Sequence, residues 1–376
     1  MINSVMRMIK KIFQFKRMYI LLLFPLSLLL IALARLDNRW VEHFFVRFVY
    51  KPLSYAVGSF ISLFPFSVTE LLAVLCAGLL VFYLVRVTVK IVKNPKAYRH
   101  QLYKLFINTL CALSAALFLF EMCMGLNYYR YEAAYYLGLD VHDSTVEELY
   151  KLTKSLADDI NYYRAQMDED ENGVSILSDS NRYETSQSAR DAYHSLSEKY
   201  TILKAADIRN KPLVSSKLFS TVMTTGIYIP YTFESNINVD VPAFTIPATM
   251  CHELTHFRGF MRENEANFLG YLACMESDRA DFRYSGAMLA FSYCYPQLSK
   301  ADKELASQVA ASVSDGVMRD LIYEDEYWEP YRNTVTADVS NKVYDGYLSA
   351  NNQQSGIQSY GEMVDLLLAY QRAQNK

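Results

Sequence analysis

Three apolar runs crowd into the first third of the chain. They constrain its fold more than any other feature, because a segment so long and so apolar must lie either in lipid or in a protein core. Met18 to Ala34 is almost uninterrupted apolar sequence, a second run covers about Val68 to Val85, and a third about Leu105 to Leu126. Each approaches the roughly 20 residues that a helix needs to cross a bilayer. The charges divide at the same place. Residues 1–126 hold 15 of the 37 Lys+Arg and 4 of the 40 Asp+Glu, a balance of +11, which leaves 22 against 36, or −14, for residues 127–376. The expectation is a membrane domain over 1–126, with transmembrane helices at about 18–34, 68–85 and 105–126, followed by one body over 127–376. An outer balance of −14 argues only against nonspecific attraction to nucleic acid or anionic lipid, and the bilayer is expected as a partner of the three spans.

Arg7, Lys10, Lys11, Lys16 and Arg17 precede the first run, as for an anchor that enters from the cytoplasm. Ala32-Leu33-Ala34 also has the small-x-small form of a signal-peptide cleavage site, but the basic lead is long and further spans follow, so an uncleaved anchor is expected. Arg86, Lys90, Lys93, Lys96, Arg99 and Lys104 lie between the second and third runs with no acid among them, which places that loop in the cytoplasm and the C-terminal body outside. The aromatic stretch around Trp40, Phe44, Phe45, Phe48 and Tyr50 reads as a segment at the lipid interface. Glu121, late in the third run, either faces the other helices or, as the favoured reading, sits at the headgroup level.

The body reads as mainly helical with a small sheet, an α+β class. Helices are expected over Ser144 to about Gln166 with a capping box from Ser144 and Glu147, over Thr185 to Lys199, over Ser299 to about Tyr323, and over Tyr360 to Arg372. Short strands are expected within Leu218 to Val241, where β-branched and aromatic residues are punctuated by Gly226, Pro230 and Pro242. Asp168 to Asn181 reads as an exposed loop whose acids lack the spacing of a calcium-binding loop. The six cysteines show neither paired metal spacing nor the density of a disulfide scaffold.

The chemistry concentrates in His252-Glu253-Leu254-Thr255-His256. On a helix, residues four apart share a face, so the two imidazoles can take adjacent corners of one Zn²⁺ tetrahedron while Glu253 stands beside the ion as a proton acceptor. Gly259 can end that helix and turn the chain back. The pattern that supplies a third histidine would need it at Arg262, which leaves Glu263 and Glu265 as candidates. Glu263 shares a helix face with Ala266, Asn267, Gly270, Ala273 and Cys274, small enough for close packing on the histidine helix, whereas Glu265 shares one with Phe268, Leu269 and Leu272. Glu263 is therefore the expected third ligand and Glu265 the alternate, with Asn267 orienting a histidine. Zn²⁺ would acidify a bound water, Glu253 would take its proton, and a peptide carbonyl would be attacked. Tyr284 and Tyr360 are candidate oxyanion donors, and a free strand edge in the 226–239 region could pair with an extended peptide.

Together with the three spans, Phe64-Pro-Phe-Ser67, the segment Gly226 to Asn236, His252 to His256 with Gly259, Glu263 to Asn267, Tyr284-Ser-Gly286 and Ser359-Tyr-Gly361 resemble the bacterial membrane-protein family catalogued as domain-of-unknown-function 3810. The resemblance covers most of the chain and implies a zincin-like fold without implying a substrate. Glu263-x-x-x-Asn267 is similar to the E-x-x-x-D element of gluzincin metallopeptidases, in which the glutamate binds metal and the aspartate supports a ligand histidine. Asn stands here for Asp, a neutral and weaker support. Glu234 and Asn236, within the family-like strand segment, are candidates for lining the cleft or, equally, for a turn or cap role.

The leading expectation is a multi-pass metallopeptidase of the bacterial plasma membrane, N-terminus cytoplasmic, acting on a peptide or protein substrate at the extracytoplasmic face. The alternative is a catalytically inactive zincin-like binding or sensor module. A structural metal site has no use for Glu253, which favours the enzyme. Three spans with little internal polarity do not make a transport pathway.

Overall fold

The computed structural model describes residues 16–179, 181–351 and 360–375. Arg7, Lys10 and Lys11 of the basic lead and Ser359 lie outside them.

Three helices are long and apolar enough to cross a membrane: Arg17–Leu36, Val68–Lys93 and Tyr98–Cys123. The second and third have 26 residues each, about 39 Å at 1.5 Å per residue, which exceeds a hydrocarbon core of about 30 Å. The second therefore continues past Val85, carrying Arg86, Lys90 and Lys93 on its last turns, where long stems let the charges reach the interface. The third runs from Tyr98 rather than from Leu105. It stops at Cys123, and the residues after it enter a buried 3₁₀ turn, Gly125–Tyr129. A Cβ on Gly125 would meet the Glu121 carboxylate, which packs directly against that glycine. Glu121 is itself buried, against the expectation of a headgroup acid.

The stretch expected at the lipid interface has a different destination. Val41–Tyr50 is a π-helix that runs into an α-helix, Lys51–Ile61, and its Val41, Phe45, Val46 and Tyr50 are buried in the same core as the C-terminal body. The Tyr50 hydroxyl donates to the carbonyls of His256 and Phe257, both at 3.1 Å. Phe44, Phe48 and Phe60 stay exposed on the opposite side. Sequence beginning near residue 41 thus shares the core assigned to 127–376.

The second span is also fastened to the body. Ser67 accepts from the Glu70 amide, but the Glu70 carboxylate bonds the amides of Val214 and Ser215 instead of closing a capping box. The helix-end amides of Val68 and Thr69 donate to Glu234, at 2.9 and 2.7 Å, and Glu234 is paired with the buried Lys211. Breaking such a pair leaves an uncompensated buried charge, a cost on the order of 3–5 kcal/mol. Glu234 is therefore a cap on a membrane helix and not a lining of the cleft.

The body is mainly helical with a three-stranded sheet of order β1-β3-β2, where β1 is Asn210–Pro212, β2 Gly226–Ile229 and β3 Glu234–Ile237. β1 runs parallel to β3 and β2 antiparallel to it, so that Lys211 and Ile227 flank Asn236. Asn236 is fully buried on this central strand. Ser216–Thr221, expected to be extended, is a short helix. The helix expected from Ser144 is Val146–Arg164, capped by Thr145 with Glu148 rather than by Ser144 with Glu147. The long helix expected over Ser299 to Tyr323 is divided into the end of Ala280–Ala301, then Lys303–Ala310 and Asp315–Trp328. Asp302 and Ser314 accept the free amides at the two restarts. A further helix, Val335–Ala350, precedes the last one, Tyr360–Gln374.

Candidate metal centre

Two antiparallel helices build the site. The histidine helix, Ile246–Phe257, opens with a proline in its first turn, which places His252-Glu253-Leu254-Thr255-His256 in its second half rather than at its start. Gly259 ends it at φ +85°, and a Cβ there would meet Arg130 at 2.8 Å and Tyr50 at 3.0 Å. The glutamate helix, Glu263–Met275, then returns against it. Gly270 lets the backbones touch, since a Cβ would lie 3.1 Å from the His252 amide nitrogen. This is the close approach that the small-residue face implies.

The packing brings His252, His256 and Glu263 together, with one donor atom from each inside a 4.8 Å cluster. The two imidazole Nε2 atoms are 3.1 Å apart, and Glu263 oxygens lie 3.2 Å from His252 Nε2 and 3.6 Å from His256 Nε2. Ligands about 2.0–2.1 Å from a tetrahedral ion are separated by about 3.3 Å, so these spacings fit one Zn²⁺. The orientation fits as well. His252 Nδ1 is held by Asn267 Oδ1 at 2.8 Å and His256 Nδ1 by the Phe260 carbonyl at 2.9 Å, which turns both Nε2 atoms toward the shared centre. Asn267 is fixed in turn by donating to the Tyr293 hydroxyl at 2.8 Å.

Glu253 stands next to this cluster, buried, and its Oε2 has no hydrogen-bond partner among the described residues. Gly226 at the start of β2 presses on it, since a Cβ there would lie 2.6 Å from Glu253 Oε1. An unpartnered buried carboxylate is costly unless a charge or a reacting group completes it. Burial raises the Glu253 pKa to about 8. For His252, burial pulls the pKa down, but the hydrogen bond and charge of Glu263 outweigh it and hold the value near 9. Burial takes His256 down to about 4. Burial also pulls Glu263 up, but the charge of His256 and the bond to His252 prevail and leave it at about 2.

In the metal-free chain at pH 7 protons therefore sit on both Glu253 and His252, beside an ionised Glu263, and the one on His252 occupies a ligand position. An entering divalent ion must displace it. Zinc affinity is expected to rise at least tenfold per pH unit near neutrality and to level off above about pH 9, with at least one proton released per ion. Calorimetry in two buffers of different ionisation enthalpy measures this, and a pH-independent affinity would show that His252 is not a ligand.

The other candidates lie elsewhere. Glu265 is buried, accepts from the Ala133 amide at 2.8 Å and pairs with Arg262 at 3.0 Å, so it fastens the glutamate helix to the segment after the third span. The Tyr284 hydroxyl donates to Asp320 at 2.7 Å inside the core. The Tyr360 side chain lies outside the described residues. Cys251 faces Cys274, away from the histidines. The tyrosine that shares the cleft with Glu263 is Tyr344, on the helix Val335–Ala350. Ser340, Asn341, Tyr344 and Leu348 present one helical face to the cleft, a periodicity available in sequence but with nothing to link it to Glu263.

The cluster opens into a cleft of about 670 Å³ lined by His252, Glu253, Glu263, Asn267 and Tyr344 together with the loop leading into β2. β2 is an outer strand of the sheet, so one of its edges is not paired by another strand among the described residues.

Residues 45–368 match the family described as "Protein of unknown function (DUF3810)". No curated protein and no solved structure matches the chain.

Proposed function

The chain belongs to domain-of-unknown-function family 3810, and from its site we propose that it is a membrane-anchored, zinc-dependent metallopeptidase with a zincin-like, gluzincin-type domain. One observation carries this reading: His252, His256 and Glu263 converge at metal-ligand spacing beside a buried, unpartnered Glu253 in an open cleft.

His252, His256 and Glu263 would hold the ion, with Asn267 and the Phe260 carbonyl orienting the imidazoles. When bound, the ion supplies a Lewis acid that acidifies water and polarises a substrate carbonyl. Glu253 accepts the proton of the attacking water and passes it to the leaving amine nitrogen as the C–N bond breaks. Its apolar burial, which lifts the pKa to about 8, makes it a ready acceptor and donor near neutrality. Tyr344 lines the cleft beside Glu253 and Glu263. The loop before β2 and the free strand edge guide an extended peptide past Glu253.

The site lies next to the membrane. Tyr231 donates to the Ala116 carbonyl, and Tyr347, stacked on Tyr344, packs on Phe120, all at the body end of the third span. The opposite end of that hairpin carries Lys90, Lys93, Lys96 and Arg99, the pattern of a cytoplasmic loop, so the cleft faces outward from a bacterial plasma membrane.

The test uses the full chain purified in detergent and a quenched-fluorescence peptide library. Cleavage is expected, lost on chelation and restored by zinc. Zinc bound in full with no peptide cut would leave an inactive binding module.

A further inference from the structure

The helix Asp315–Trp328 turns two acids inward, and the protein treats them differently. Asp320 is fully buried and fully satisfied: it pairs with Arg164 at 2.7 Å and accepts from the Ser175 amide at 2.9 Å and the Tyr284 hydroxyl at 2.7 Å. Glu324, one turn further on, lines the same cleft as the metal cluster, on the face that also presents Leu321. No hydrogen bond or ion pair to it is found among the described residues. Arg332, whose charge reaches it, is bonded to Asp325 at 2.5 Å. The same cleft is lined by the apolar Phe244, Met288, Leu289 and Phe291 as well as by Glu253 and Glu263. Burial raises the Glu324 pKa, a cost that a cation placed beside it would remove.

We infer that Glu324 is the cation-recognition point of the cleft, so that the substrate is an extended, mainly apolar peptide whose ammonium or guanidinium group pairs with this carboxylate. The inference rests on the proposed peptidase reading for its substrate class. A carboxylate without an ion-pair partner in a cleft rewards an opposite charge and penalises a like one. The cation could come from a Lys or Arg side chain or from a free amino terminus.

Binding, not cleavage, separates this inference from the activity. Full-length Glu253→Gln protein in detergent is titrated by fluorescence anisotropy with labelled apolar peptides of one length whose central residue is Lys, Arg, Gln or Glu, each with a free and an acetylated amino terminus. Peptides with a cation are expected to bind about tenfold or more tightly than the Gln peptide, the strength of a hydrogen bond to a charged group. Adding Glu324→Gln should abolish that preference without altering thermal melting, and Glu324→Lys should shift it to the Glu peptide. A preference lost on acetylation assigns the amino terminus, and one that survives assigns the side chain. A cation preference unchanged by Glu324→Gln, or none in the parent protein, overturns the inference, whether or not the native chain cleaves peptides.

Discussion

Glu253→Gln is expected to hold zinc as the native chain does and to hydrolyse peptides roughly 10²–10⁴-fold more slowly, the range for removing a positioned general acid or base. The two halves follow from geometry. Glu253 is not in the ligand cluster, so the three donor atoms within 4.8 Å stay in place. The amide is nearly isosteric with the carboxylate, so the approach of Gly226 is kept. What disappears is the group proposed to take and return the proton. Metal content and turnover on one preparation measure both, and a variant that cut peptide at the native rate would remove Glu253 from the chemistry.

Glu263→Ala and Glu265→Ala are expected to separate binding from folding, although the two residues are neighbours on one helix turn. Structural zinc sites have apparent binding free energies of about 10–16 kcal/mol, or roughly 3 kcal/mol per ligand, so losing Glu263 should weaken zinc affinity on the order of 10²-fold. Losing Glu265 leaves the Ala133 amide and the Arg262 guanidinium without their acceptor, which costs stability by about 1–3 kcal/mol and spares the metal. Competition titration with a chromophoric chelator and thermal melting report the two effects. The opposite assignment, metal lost with Glu265→Ala and kept with Glu263→Ala, would exchange their roles.

What could be read from sequence was whatever depends on nearby residues. The spans are long apolar runs, the histidines stand one helical turn apart, and the small face of Ala266, Gly270 and Ala273 marks which glutamate can approach a neighbouring helix. Asn267 followed from Glu263 because it lies one turn further on. Other features depend on distant partners. Val41, Phe45 and Tyr50 carry an apolar face that suits lipid and protein equally, and only the position of His256 and Phe257 decides between them. Glu234 belongs to a strand, yet its bonds go to a membrane helix far away in sequence. Tyr344 is one of 30 tyrosines, and nothing local distinguishes it from Tyr284, whose hydroxyl is taken by Asp320. The break at Asp302 was visible only as a cap-forming residue inside a helical pattern, whereas the one at Ser314 is followed by Asp315-Gly316, a turn signal.

Membrane anchoring, the cleft and the proposed hydrolysis meet in one claim, that His252, His256 and Glu263 hold a single divalent ion. The most direct measurement is elemental analysis of the full chain, purified in detergent and equilibrated with zinc, beside His252→Ala treated identically. Close to one zinc per native chain is predicted, with the variant depleted at the same free zinc. Equal zinc in both proteins, or none in either, would contradict the account.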